Sequence, residues 1–310
     1  PSGHIAFTSA RDGNKKLYVM NADGSNQYAI TSGLSEDETP VWSLDGKRVA
    51  LASTLDGNTD IYIVDVATGA LIRLTEDPAR DASPSWSPDG SRITFESFRD
   101  GNLEIYMVNA DGSGLTRLTD DPAGDTNPVW SPDGNSIAFM SGRNNGNADI
   151  YLVSPDGSGL TQLTSDTTPD SDPVWSPDGS LIAFRSFPTQ GVANTCVVNR
   201  DGSQTHCFTN SQWENGVASW SPDGQWLAFR SQHSDPAIDL ININDGTLKT
   251  LSNTAPVKGD PVWSPDGVRL AYQADAGGNM ELYEIIVSTD EVTQLTYSPG
   301  YDGEPAWTPN

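Results

Sequence analysis

The sequence predicts an all-β chain, residues 1–310, folded as one seven-bladed β-propeller of four-stranded blades. Three observations carry that expectation: a regularly recurring tryptophan, a tight turn of fixed composition behind it, and termini that hold complementary parts of one repeat. Trp42, Trp86, Trp130, Trp175, Trp220, Trp263 and Trp307 are spaced by 44, 44, 45, 45, 43 and 44 residues, and seven of the nine tryptophans sit on this grid. Self-similarity at this period, with several short strands per unit, is the sequence signature of stacked propeller blades.

Each unit reads as four strands. The first ends at the repeat tryptophan. Behind it runs Trp-Ser-Leu-Asp-Gly at 42–46 and Trp-Ser-Pro-Asp-Gly from 86, 130, 175, 220 and 263. In such a turn Pro presets φ and Gly takes φ > 0 without steric cost. The second strand is Ile5-Ala6-Phe7, Val49-Ala50-Leu51, Ile93-Thr94-Phe95 and their equivalents up to Leu270-Ala271-Tyr272. Third strands include Leu17-Tyr18-Val19, Ile61-Tyr62-Ile63, Ile105-Tyr106-Met107 and Ile150-Tyr151-Leu152, and fourth strands end in Leu-Thr, as at 118–119 and 163–164. Strands apolar on both faces must be covered on both faces, as stacked blades are.

The chain starts on a second strand (Ile5-Ala6-Phe7) and ends on a first strand (Pro305-Ala306-Trp307). One blade must therefore combine a C-terminal first strand with three N-terminal strands. That pairing closes the ring without leaving two sticky edges.

The units Trp-Ser-Pro-Asp-Gly-x-x-Ile-Ala-Phe, Asp-Ile-Tyr-x-Val-Asn-Ala-Asp-Gly and Leu-Thr resemble the WD40-like repeat of the TolB family. Related repeats occur in the propellers of prolyl-oligopeptidase-type peptidases and of oligogalacturonate lyases. The resemblance runs the length of the chain and implies the fold rather than an activity. It is partial, because TolB-type proteins carry six such blades and a separate N-terminal domain. The chain has no Gly-x-Ser-x-Gly elbow of the kind a serine hydrolase would use.

With 17 basic against 42 acidic residues the formal net charge is −25. Such a surface repels phosphate backbones and anionic lipid, so nucleic acid is not an expected partner. No apolar run is long enough to insert in a membrane. Acidity also keeps a β-rich surface soluble, and it favours cations and basic peptides as ligands. The N-terminal Pro1-Ser2-Gly3-His4 has neither a basic leader nor an apolar signal core. The chain is expected to have lost a leader or to begin within a longer protein.

In a propeller the loops entering first strands and those joining second to third strands surround one mouth of the channel. Asp37, Asp81, Asp125, Asp170 and Asp302 stand five residues before the repeat tryptophan, where repeats five and six carry Asn215 and Lys258. Related by the pseudo-symmetry, the five carboxylates are expected to form an acidic rim, and oxygen ligands so placed suit a hard cation such as Ca2+. The competing reading is structural: each Asp caps its own loop or pairs with Arg11, Arg99 or Arg143. The repeat breaks at Trp213, Glu214, Asn215 and Lys258, and Arg185 and Arg230 end second strands that elsewhere end in Thr8, Ala52, Glu96, Met140 or Gln273. An aromatic ring and guanidiniums beside carboxylates form a candidate recognition patch for a peptide terminus or a sugar.

His4, His206 and His233 fall at different points of the repeat, and only His233 is expected at the channel face. A lyase of the oligogalacturonate type would call for clustered histidines. Asp170/Asp172 and Asp302/Glu304 are the carboxylate pairs available for acid–base chemistry. Cys196 and Cys207 flank an Arg200-Asp201-Gly202-Ser203 turn whose length sets them opposite each other on neighbouring strands. They are either a disulfide, which would point to an extracytoplasmic setting, or two free thiols.

The reading that follows is a non-catalytic, extracytoplasmic binding or scaffold propeller that takes a peptide, protein or glycan at its acidic mouth. It would act as a monomeric domain, alone or as a module of a longer chain. The alternative is a carboxylate-dependent lyase or hydrolase acting on polysaccharide or peptide at the same mouth.

Overall fold

A computed structural model of the chain describes residues 3–144, 146–209, 214–232, 236–251, 256–275 and 277–309. Its strands form seven four-stranded antiparallel sheets. Blades are numbered here in chain order. Blade 1 joins Asp302–Trp307 to His4–Ser9, Lys16–Asn21 and Tyr28–Ala29. In it Ile5 lies opposite Trp307 and Ser9 opposite Asp302, so the two ends of the chain close the ring. The inner strands of blades 2 to 5 are Asp37–Trp42, Asp81–Trp86, Asp125–Trp130 and Asp170–Trp175. Those of blades 6 and 7 shrink to Ser219–Trp220 and Val262–Trp263. Each inner strand packs on the next around the axis, and Asp302–Trp307 packs on Asp37–Trp42.

Among the described residues seven apolar clusters form the core, and each spans one interface between blades. The Ile-Ala-Phe pattern is the cause. Between blades 1 and 2, Ala6, Leu17 and Val19 meet Trp42, Val49, Leu51 and Tyr62. Ile5 and Phe7, on the other face of the same strand, meet Leu282 and Leu295 of blade 7.

The repeated polar motifs satisfy backbone groups that this packing would bury unpaired. The Thr of each Leu-Thr accepts the amide that opens the third strand: Ile61 N–H donates to Thr75 Oγ1 at 3.0 Å and Ile105 N–H to Thr119 Oγ1 at 2.9 Å. In the tight turn Ser87 Oγ donates to Asp89 Oδ1 at 2.6 Å and accepts Arg92 N–H at 2.9 Å, while Gly90 takes φ +66°. The repeat indoles lock blades together: Trp42, Trp86, Trp175 and Trp220 donate from Nε1 to the carbonyls of Ala306, Val41, Val129 and Val174 of the preceding blade.

Candidate functional site

The inner strands of blades 1 to 5 are not regular. Thr39, Ser83, Asn127, Asp172 and Glu304, three residues before their tryptophans, have φ between 51° and 55° and sit in register shifts against the second strand. A β-bulge with a left-handed residue re-aims side chains, and non-glycine residues at positive φ are uncommon. In blades 6 and 7 the equivalent positions are Val217 and Asp260, behind Gly216 and Gly259. Val217 is β-branched and poorly suited to that conformation, and there the strand is lost.

The bulge decides where the aspartates point. Asp37, Asp81, Asp125, Asp170 and Asp302 are buried at 1% exposure or less. They do not rim the mouth: each turns into its blade before the bulge breaks the alternation of the strand. Asp37 accepts from Ser53 Oγ of its own blade and from Thr31 Oγ1 and Leu17 N–H of the preceding one. Asp81, Asp125 and Asp302 bind Arg99, Arg143 and Arg11 at 2.9, 2.7 and 2.9 Å. Among the described residues no three His, Cys, Asp or Glu side chains converge as a metal site would need.

A second set of buried acids, not singled out from the sequence, lies beside them on the neighbouring blade: Asp60, Glu104, Asp149 and Glu281. Their signal was present, since each directly precedes an Ile-Tyr or Leu-Tyr pair. Arg73 reaches Asp60 at 2.6 Å and Arg117 reaches Glu104 at 2.9 Å. Thus the Asp60/Asp81 and Glu104/Asp125 junctions each hold two guanidiniums, and the Glu281/Asp302 junction has Arg11. At the junction of blades 4 and 5, Gln162 binds Asp149 at 3.0 Å, and Pro188 stands two residues after Ser186, where Arg11, Arg99 and Arg143 follow Ser9, Ser97 and Ser141. Desolvation without a counter-charge pushes Asp149 up to about 6 and Asp170 up to about 7.

The polar chemistry of the mouth comes from other side chains, paired within blades and across their junctions. Glu304 accepts Thr39 N–H at 3.0 Å and pairs with Lys15 at 3.0 Å. Glu96 accepts Asn127 N–H at 3.1 Å, and Asn127 Nδ2 donates to Asp172 at 3.0 Å. Arg185 is held between Asp172 (3.2 Å) and Glu214 (2.7 Å), and its Nε donates to the Asn215 carbonyl at 3.0 Å. Arg230 faces Asp260 at 3.8 Å.

Of the predicted patch, Arg185 and Glu214 therefore meet, and Arg230 lies with Asp260. Lys258 is exposed on the loop that enters blade 7. The Asn215 side chain is buried and donates to Thr209, so it replaces a buried aspartate rather than facing the mouth. Trp213 and His233 lie outside the described residues. His4 and His206 are exposed away from the mouth, His206 edge-on to Phe208 at 4.6 Å. Lys15, Glu96, Asp172, Asp260 and Glu304 complete the mouth. Cys196 lies opposite Cys207 in blade 5, and the two form a disulfide.

This architecture is that of a repeat propeller with a polar mouth. The family model described as the TolB beta propeller domain matches residues 36–119, 84–215 and 193–310, and the chain belongs to that family. Among curated proteins no sequence matches it. Of solved structures, TolB from Acinetobacter baumannii is 23% identical, with all of this chain aligned to 67% of that one at a TM-score of 0.66. An oligogalacturonate lyase in complex with manganese is 14% identical over 94% of this chain and 85% of its own, TM-score 0.73. A puromycin-hydrolyzing peptidase from Mycobacterium tuberculosis is 14% identical over 92% of this chain and 50% of its own, TM-score 0.72. At these identities the likeness is one of fold.

Proposed function

We propose that this propeller is a non-catalytic binding module that takes a peptide or protein segment at the channel mouth. The observation that carries the reading is the set of ion pairs at the mouth, centred on Arg185, which pairs with Asp172 of its own blade and with Glu214 on the loop entering the next. Unlike charges paired at a solvent-facing mouth can be exchanged for those of a ligand, so charge pattern sets specificity. The bulges at Thr39, Ser83, Asn127, Asp172 and Glu304 support it, because strained backbone clusters at binding surfaces. The family's TolB members and the 23% identity to one of them favour binding over turnover. The disulfide of blade 5 favours an oxidising, extracytoplasmic setting.

Selection of displayed peptides on the immobilised protein tests the reading, with an Arg185→Ala/Arg230→Ala variant as counter-target. Sequences enriched on the parent and lost on the variant are expected. Enrichment that is equal on both would contradict it. The lyase and peptidase likenesses supply the control: release of unsaturated uronides from polygalacturonate with Mn2+, or cleavage of short peptides, would replace the binding reading by a catalytic one.

A further inference from the structure

The face opposite the mouth, where the tight turns lie, repeats one device. Between blades 2 and 3, Arg48 stands 4.7 Å over the Trp86 ring and donates from Nη2 to the Gly90 carbonyl at 2.8 Å. Asp45 and Asp89 border that slot. Between blades 3 and 4, Arg92 takes the same place, 4.9 Å over Trp130. Between blades 4 and 5 the position holds Ser136, yet a guanidinium still fills the slot. Arg200 reaches in from the following blade, 5.4 Å over Trp175, 2.6 Å from Asp133 and donating to Ser136 Oγ.

Between blades 6 and 7 the position is Trp226, six residues after Trp220 as Arg48 is six after Trp42. Here the slot is an open cleft of about 420 Å3, against about 280 Å3 at Arg48, lined by Trp226, Trp263, Asp223, Asp266, Gly267 and Lys249. The buried Trp263 Nε1 has no acceptor, as at Trp130 in the slot that Arg92 fills. Lys249 walls the cleft without filling it, since its Nζ donates to the Val287 carbonyl and lies 3.4 Å from Asp290.

We propose that this cleft binds an arginine side chain of a basic peptide segment. The guanidinium lies against the Trp263 indole, with Trp226 as a second aromatic wall. The Gly267 carbonyl, equivalent to Gly90, accepts from it, and Asp223 balances its charge beside Asp266, whose Oδ2 already pairs with Arg269 at 3.2 Å. The three sister slots show which group this geometry takes, and a chain of net charge −25 draws such a group in. Asp223 and Asp266 are preset, each held at Oδ1 by Ser221 or Ser264 and by the backbone N–H of Gln225 or Val268.

The test is titration of acetyl-Gly-Gly-Arg-Gly-Gly-amide and its citrulline analogue, which keeps the shape and loses the charge, followed by calorimetry. The parent protein is expected to bind the arginine peptide at least tenfold more tightly than the citrulline peptide. Trp226→Arg, which supplies the slot with its own guanidinium, should abolish that preference. Asp223→Asn/Asp266→Asn, which keeps both Oδ1 acceptors, should reduce it severalfold and carries the test if Trp226→Arg fails to fold. Equal binding of the two peptides, no binding of either, or a preference unchanged by the variants would overturn the proposal.

Discussion

Arg143 and Arg80 both contact a carboxylate, and their surroundings make the two contacts unequal. The Asp125 partner of Arg143 is fully buried, whereas Arg80 is 54% exposed beside Glu96. Removing one member of a buried pair strands a charge and costs about 3–5 kcal/mol. An exposed pair is worth about 1 kcal/mol or less. Arg143→Ala is therefore expected to lower the unfolding free energy in urea by about 3 kcal/mol, and Arg80→Ala to leave it nearly unchanged. Equal losses would show that the buried guanidiniums are not what holds these junctions. At Asp170 the sign differs. Its pKa is raised from the ordinary 3.8 to about 7, so the native state holds a proton that the unfolded chain releases. Its contribution to stability is full below about pH 4 and is lost as the pH rises through 7. Asp170→Asn should flatten this fall between pH 4 and 7 in melting curves, and an unchanged slope would count against a protonated Asp170.

At the level of strands, blade 5 is stapled where its outer strand is only His206–Cys207. A loop of this size predicts a stabilisation of about 2–3 kcal/mol, so Cys196→Ser/Cys207→Ser should melt at lower temperature under oxidising conditions and match the reduced parent. The strands also show what a sequence discloses. Turns, strand order and the opposition of Cys196 and Cys207 follow from local rules and are legible in Ser-Pro-Asp-Gly, Ile-Ala-Phe and Arg200-Asp201-Gly202-Ser203. The direction of the Asp37-type side chains is not legible, because it depends on a left-handed residue two positions later. Nothing in Thr39 or Ser83 announces positive φ. The same bulge leaves Glu304 and Asp172 at the mouth, and Lys15 and Glu96 join them from other strands.

For the whole molecule, closure and charge matter most. Deleting residues 302–310 removes the inner strand of blade 1 and exposes the clusters around Phe7 and Trp42. The shortened chain is expected to lose cooperative unfolding and to associate through the opened edge, as sedimentation would reveal. A well-folded monomer would contradict the closure argument. Ring closure is also what brings Lys15, Glu96, Asp172, Arg185 and Glu304, far apart in sequence, to one mouth. The measurement closest to the central claim is an NMR titration of the labelled protein with a peptide recovered by selection, following backbone amides and arginine Nε–H signals. Shifts concentrated at Asn127, Asp172, Arg185, Glu214 and Asp260, and absent in Arg185→Ala, are the predicted result. Shifts confined to the outer strands, or unaltered by that substitution, would contradict a binding site at the mouth.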